Sequence, residues 1–466
     1  MWHFQLLEFA AYLSGLIEPE TLPWEFHHQM RPSFQPIIAY IIHQFSLFIN
    51  GSHNPVLWTF LLRLLSAIFS LSVTYFWVIT FEKEFSEHLK KWFWIFSFFT
   101  WFTVYLHVRF SSEAWSENFW LLGILFLWNA KNQFSKIFLA AIWLGLAFVC
   151  RYQLAFAILG VLLWVLVFDN HKWKTFSALT LGGGLVFIIS TLLDIWFYGK
   201  FTIAPYNYFY QNLILKKVIG FGREPWYFFF TELFKSKTYL LNFVYLIAFF
   251  YFLIQNPKHL FVWTIIPFIA IHLIISHKEF RFIYPIFGFI PFMFIKTWEN
   301  LTNQWQNIYS NSFIKLFFAL HGFPLLITIT QYLEPHIMVY EWIWKNYSVN
   351  EPTIVFFKNE GSIVDLTCLK YENQHPQTQC LTHQVYLKNT QIVPIQYCDG
   401  DTLVFNEKKY KRMLVVYYSF KDKTQIPAEY KRVYSFYPEW IIHHLNIGGW
   451  VNRTSFLEIY EYLPLN

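Results

Sequence analysis

His277-Lys278-Glu279-Phe280-Arg281-Phe282 puts two cations, a carboxylate and an imidazole into six consecutive residues. That set of side chains can hold a phosphate through charge-assisted hydrogen bonds and can orient or shuttle a proton. The cluster stands between two apolar segments, 261–276 and 282–295, each long enough to cross or nearly cross a bilayer. A charge at the centre of a spanning helix costs roughly 2.5–3.5 kcal/mol, so charges gathered beside hydrocarbon mark a membrane mouth used for chemistry. A plain charged turn is the bland alternative, and the density of complementary groups argues against it.

Other polar groups interrupt apolar sequence. Arg109, Ser112 and Glu113 lie three or four residues apart, so one helical face is expected to present them together. An ordinary turn at the membrane surface would explain them equally well. Arg151-Tyr152-Gln153 separates two apolar helices, either as a snorkelling anchor or as a ligand contact. Asp194 and Arg63 read as structural residues that pair or sit near helix ends, and His43 and His272 as packed or interfacial histidines rather than ligands. The loop 200–239 sets Lys216, Lys217 and Arg223 beside Trp226, Tyr227 and a phenylalanine run, as a solvated interfacial loop or a cover for a lipid-phosphate entry.

The elements that carry these groups are legible from composition. Charged residues make up 14% of the chain, against about 25% in an ordinary soluble domain, and aromatic residues make up 23%. Lipid-facing helices and interfacial aromatic belts fit that balance, whereas a dispersed net charge of +6 gives no footprint for nucleic acid. Ten apolar segments follow one another: 55–80, 92–108, 118–129, 137–150, 152–168, 175–197, 239–254, 259–276, 282–296 and 314–330. The predicted domains are a first loop over 1–54, with amphipathic helices at 4–16 and 37–49, a transmembrane domain over 55–332, and a soluble domain over 333–466. Within the last, alternating runs at 353–357, 402–405 and 412–418 predict strands of a small α/β domain. Cys368, Cys380 and Cys398 fall in that tail, with room for one disulfide and no metal-ligand spacing. The glycines 182–184 lie inside an apolar run and predict close helix packing.

Loop charges give an orientation. Lys83, Lys90, Lys91, Lys131, Lys136, Lys172, Lys174 and Lys258 collect in alternate loops, which are therefore expected to be cytoplasmic. The cluster 277–281, Arg109, Arg151, loop 200–239, the first loop and the tail then share the opposite face. A transporter or flippase would instead carry paired charges or broken helices at mid-membrane.

The stretch 277–285 resembles the HKE-x-RF motif of glycosyltransferase family 22, matched by His277, Lys278, Glu279, Arg281 and Phe282. Trp24-Glu25 with Arg31-Pro32-Ser33, the Arg109 segment, the helix end at 194–199, Tyr437-Pro438-Glu439-Trp440 and residues 450–453 extend the resemblance over nearly the whole chain. That family comprises mannosyltransferases of N-glycan and GPI-anchor assembly within the GT-C superfamily. The resemblance implies an α-helical polytopic membrane protein of GT-C type, with about ten visible transmembrane helices and a small C-terminal α/β extracytoplasmic domain. It implies that mannose or a related hexose passes, with inversion, from a polyprenyl- or dolichyl-phosphate donor to a glycan or glycolipid acceptor. The reaction would take place on the extracytoplasmic or lumenal face of a bacterial inner membrane or the endoplasmic reticulum, with no cofactor and no metal.

By the same resemblance His277, Lys278 and Arg281 would bind the donor phosphate. Glu279, Arg109, Glu113, Arg151, Trp24, Glu25 and Arg31 would orient those cations or hold the acceptor. The family's first loop opens on a His-Pro-Asp-Glu-like motif followed by an aromatic-rich helix ending in Leu-Glu. Here Phe4-Gln5-Leu6-Leu7-Glu8 matches the helix, while Met1 and Trp2 stand where the acidic pair belongs. The catalytic acid is therefore expected at or before Met1, together with a first transmembrane helix. A catalytically impaired homologue or a non-catalytic glycolipid-assembly protein is the alternative.

Overall fold

The computed structural model describes residues 2–236, 238–304, 310–330, 335–346, 353–359, 392–397, 412–420, 430–444 and 455–462. Every one of the ten apolar segments lies in helical structure, because a backbone in hydrocarbon must satisfy its hydrogen bonds within the segment. Among the described residues three helices, Pro55–Glu84, Lys172–Tyr198 and Phe280–Thr302, are long and apolar enough to cross a membrane. Tyr239–Gln255 and Leu260–Ile274 pass the same test only as a pair, bent by 119°. These candidate spans fit a multi-pass membrane protein.

Two segments break. Residues 92–108 divide at Thr100, which is extended between the helices Glu87–Phe99 and Trp101–His107. The Thr100 hydroxyl bonds that of Thr103 at the start of the second helix. Residues 282–296 begin as a 3-10 helix, Phe280–Phe289, and turn α-helical from Ile290. Pro285, with no amide hydrogen, cannot supply an α-helical bond there.

The chain forms two compact units. One comprises Trp24–Ile38 and Phe60–Gln331, and the other Met1–Pro23, Ala39–Thr59 and Tyr332–Asn466. In the first, Ser112–Trp128 packs on Phe134–Cys150, which packs on Lys172–Tyr198. Gly182 makes the second contact possible, since a Cβ there would sit 2.6 Å from Ala141 Cβ and 2.7 Å from the Phe138 carbonyl oxygen. Gly183 and Gly184 face open space, so only one of the three glycines answers the packing expectation. The tightest approach lies elsewhere: a Cβ on Gly160 would collide with the Trp263 main chain. Gly160→Ala is expected to cost more than the 1–3 kcal/mol usual for overpacking, because main chain rather than a side chain must move. Gly183→Ala should be nearly silent. Thermal inactivation of the two variants in detergent checks the contrast.

In the other unit, β1 (Thr353–Asn359), β2 (Ile392–Tyr397), β3 (Arg412–Phe420), β4 (Tyr430–Ser435) and β5 (Ser455–Tyr462) form one sheet in the order β2-β1-β3-β5-β4. β1 is parallel to β2 and β3, while β5 is antiparallel to β3 and β4. The expected strands at 353–357 and 412–418 lie in β1 and β3; the run at 402–405 and all three tail cysteines lie outside the described residues. The helices Trp2–Leu13 and Phe34–Asn50 cover the two apolar stretches expected in the first loop. His43 is packed: its Nδ1 bonds Ser14 Oγ at 2.9 Å and its Nε2 bonds His53 Nδ1 at 2.9 Å. His272 is packed too, through Nδ1 to the Phe268 carbonyl at 2.7 Å.

Candidate active site

The carboxylate at the centre of the polar groups is Glu113. Ser111 is extended and caps the helix Ser112–Trp128 by accepting from the Ala114 amide at 3.3 Å. Glu113 therefore occupies the first turn, where the helix dipole favours a negative charge. Arg109 precedes the cap and lies outside the helix, which corrects the expectation that Arg109, Ser112 and Glu113 share one helical face. Its guanidinium stacks on the Tyr105 ring at 3.9 Å. Arg109, Glu113 and Arg281 all lie within electrostatic reach of the Tyr284 phenol.

Arg151 terminates the helix Phe134–Cys150 in an extended conformation, and its Nη1 lies 2.7 Å from Glu113 Oε1. Arg281 approaches the same oxygen, with Nε at 3.9 Å. Both members of the Glu113–Arg151 pair are buried, at 4% and 7% exposure, so neither charge has water to fall back on. Burial pushes the Glu113 carboxyl up, but Arg151 and Arg281 outweigh it and hold the group below its ordinary value.

Glu279 is the second shared carboxylate. It pairs with the Arg281 guanidinium and accepts from His277 Nε2 at 3.2 Å. Burial raises its carboxyl, and His277 and Arg281 more than offset this, bringing it down to about 2. Two carboxylates thus brace Arg281, one from the first turn of Ser112–Trp128 and one two residues before it in sequence. Lys278 takes a different path from its neighbours. Its ammonium donates to the carbonyls of Glu224, at 3.0 Å, and Ile275. With the Glu224 amide donating to the Ser276 carbonyl at 2.8 Å, Lys278 fastens the loop 200–239 onto the HKEFR segment.

Trp24, Glu25 and Arg31 form a second group. Arg31 engages the Glu25 carboxylate through Nε at 3.0 Å and Nη2 at 2.6 Å, a fork geometry that fixes both planes. The Trp24 ring stacks on Phe221 at 6.3 Å and carries the Lys217 ammonium 5.3 Å above it. Lys217 also donates to His28 Nε2 at 3.0 Å. Phe221 in turn lies 6.0 Å from the His277 ring, so this group borders the HKEFR segment. Asp194 Oδ1 accepts from the Ser33 amide and hydroxyl at 2.8 and 2.7 Å, tying the start of Phe34–Asn50 to the end of Lys172–Tyr198. Arg63 is exposed on its helix, and Asp194 takes Ser33 rather than Arg63 as partner.

Sequence reasoning missed Tyr208, which lies within electrostatic reach of both groups. Gln153 Nε2 donates to its hydroxyl at 2.7 Å, and the Arg31 guanidinium lies 5.6 Å from its ring centre. Nothing in the aromatic-rich loop singled out this tyrosine among its neighbours.

A helical chain with candidate membrane spans, carrying guanidinium and carboxylate groups gathered at helix ends, fits a multi-pass membrane protein with a polar site. The chain belongs to the Alg9-like mannosyltransferase family, whose family model matches residues 3–357. It is similar to the GPI alpha-1,2-mannosyltransferase 3 of Bos taurus, at 23% identity over 60% of this chain and 51% of the relative. It is also similar to the GPI mannosyltransferase 3 of Candida albicans, at 27% identity over 67% of this chain and 63% of the relative. The alpha-1,2-mannosyltransferase ALG9 of Mus musculus matches at 29% identity over 26% of this chain and 21% of the relative. The chain thus spans about half to just under two thirds of the length of the first two relatives. No solved structure matches it.

Proposed function

We propose that the chain is a membrane mannosyltransferase that takes mannose from a polyprenyl- or dolichyl-phosphate donor and passes it, with inversion, to a glycan or glycolipid. The observation that carries this reading is the placement of Arg281 and Arg151 around one buried carboxylate beside the HKEFR segment. In the reaction the bond between mannose C1 and the phosphate oxygen breaks, the acceptor oxygen bonds C1, and the acceptor proton passes to a base. The leaving phosphate gains negative charge as that bond breaks, and fixed cations stabilise it more than they stabilise the bound donor. Arg109, Arg151, Lys278 and Arg281 stand against Glu113 and Glu279, a surplus of two positive charges with His277 neutral. A phosphate monoester carries about −1.5 to −2 at neutral pH, so the surplus suits the product of transfer.

Glu113 and Glu279 are each committed to cations and are poor bases, so neither takes the acceptor proton. Arg281 then contacts the phosphate, Lys278 holds the covering loop, and His277 orients Glu279. Trp24, Glu25 and Arg31 border the acceptor. The site faces the extracytoplasmic or lumenal side, as the lysine-rich alternate loops favour the cytoplasm. Membranes containing the protein should transfer labelled mannose from polyprenyl-phosphate mannose and not directly from a nucleotide sugar. Transfer from the nucleotide sugar with the lipid carrier removed would contradict the assignment of donor.

A further inference from the structure

Tyr208 is the penultimate residue of a short helix, Ala204–Phe209, that passes directly into a π-helical turn, Tyr210–Ile214. Such turns shift the register of the residues around them and occur frequently at functional sites. The neighbourhood of Tyr208 is fixed from both sides. Asn207 Nδ2 donates to the Gln29 carbonyl at 3.2 Å, and the Tyr198 hydroxyl donates to the Arg31 carbonyl at 2.8 Å. The Tyr152 ring meets Tyr208 edge-on at 5.5 Å. Four charged groups act on the phenol, with Arg31 and Arg151 on one side of the balance and Glu25 and Glu279 on the other. The phenol is thus within electrostatic reach of the Glu25–Arg31 pair and of Arg151 and Glu279, with the Arg31 guanidinium 5.6 Å from its ring centre.

Burial raises the phenol above its ordinary range, so it keeps its proton at neutral pH. The Gln153 amide already donates to the oxygen, which leaves the O–H hydrogen as the group's remaining bonding capacity. Among the described residues no acceptor receives that hydrogen. A donor held without an acceptor within reach of two guanidinium groups suits a ligand that offers only acceptor oxygens and negative charge.

Resting on the lipid-phosphate reading above, we propose that the Tyr208 hydroxyl donates a hydrogen bond to a phosphate oxygen of the isoprenyl-phosphate donor, on the side of the site away from Arg281. Tyr208→Phe removes only the hydroxyl and keeps the ring under Arg31 and against Tyr152. Farnesyl phosphate binding to the purified chain in nanodiscs, followed by fluorescence titration, should weaken roughly tenfold or more in this variant, as expected for losing a hydrogen bond to a charged group. The kcat/KM for polyprenyl-phosphate mannose should fall by at least the same factor, with the KM of the acceptor unchanged, because the phosphate oxygen gains charge as its bond to C1 breaks. A purely structural tyrosine would leave the dissociation constant unchanged at equal thermal stability.

Equal farnesyl phosphate binding by Tyr208→Phe and wild type overturns the proposal alone, provided the wild type binds the lipid and transfers mannose. A rise confined to the KM of the acceptor, with farnesyl phosphate binding unaltered, assigns the phenol to a sugar hydroxyl and also overturns it. If the wild type neither binds farnesyl phosphate nor transfers mannose, the underlying reading falls and takes this one with it. Should Tyr208→Phe fail to fold, Tyr208→Met fills much of the space with an apolar side chain that has no donor and is expected to show the same loss of binding.

Discussion

Arg281→Ala is expected to lower kcat/KM for polyprenyl-phosphate mannose by about a thousandfold, in the range seen when a fixed donor or an arginine facing a departing phosphate is removed. Arg281 is the cation that both carboxylates brace: Glu279 pairs with its guanidinium, and Glu113 Oε1 lies 3.9 Å from its Nε. A side chain held on two sides needs no reorganisation when charge develops on the phosphate, which is the source of the large effect. Arg281→Lys keeps the charge but cannot span the two carboxylates with a planar fork, so it should recover no more than about tenfold of the loss. Initial rates with membranes normalised for protein content check both variants. Near-normal rates for Arg281→Ala would move the phosphate away from this residue.

The second large effect concerns stability. Glu113→Ala leaves the Arg151 guanidinium buried without its partner 2.7 Å away and should cost about 3–5 kcal/mol. Replacing both partners, as Glu113→Leu with Arg151→Met, removes the two desolvated charges together and should return stability to within about 1 kcal/mol of wild type. Activity should not return with it, because Arg281 would still lack one of its two braces. Apparent melting temperatures in detergent, measured for the two single variants and the double variant, test the coupling directly. A loss in the double variant equal to the sum of the two single losses would mean that the pair contributes nothing beyond its separate side chains.

Much of the helical framework was legible because charge and hydrocarbon exclude each other so strongly. The ten apolar segments fall on helices, broken at Thr100 and passing from 3-10 to α-helical at Ile290 within 282–296. The break at Thr100 was not legible, since a threonine within an aromatic run carries no comparable signal. The HKEFR segment announced itself by charge density. Glu113 and Arg151, by contrast, are 38 residues apart, and only the packing of Ser112–Trp128 on Phe134–Cys150 brings them together.

Lys278 shows a different limit. Its acceptors are main-chain carbonyls, which every residue carries, so no sequence pattern could separate a phosphate ligand from a loop fastener. Arg109 shows a third. Spacing alone put it on the Glu113 helix, but Ser111 caps that helix two residues later and leaves Arg109 outside it. Tyr208 gave no signal because its significance comes from Gln153 and Arg31, two residues remote from it in sequence.

The central claim is that the Arg281–Glu113–Arg151 cluster is a lipid-phosphate site. Native mass spectrometry of the purified chain with polyprenyl phosphate tests it most directly. One lipid phosphate retained per chain in the wild type, and lost in Arg281→Ala at unchanged melting temperature, is the result predicted here. Equal retention by both proteins, or none by a wild type that transfers mannose, would contradict it.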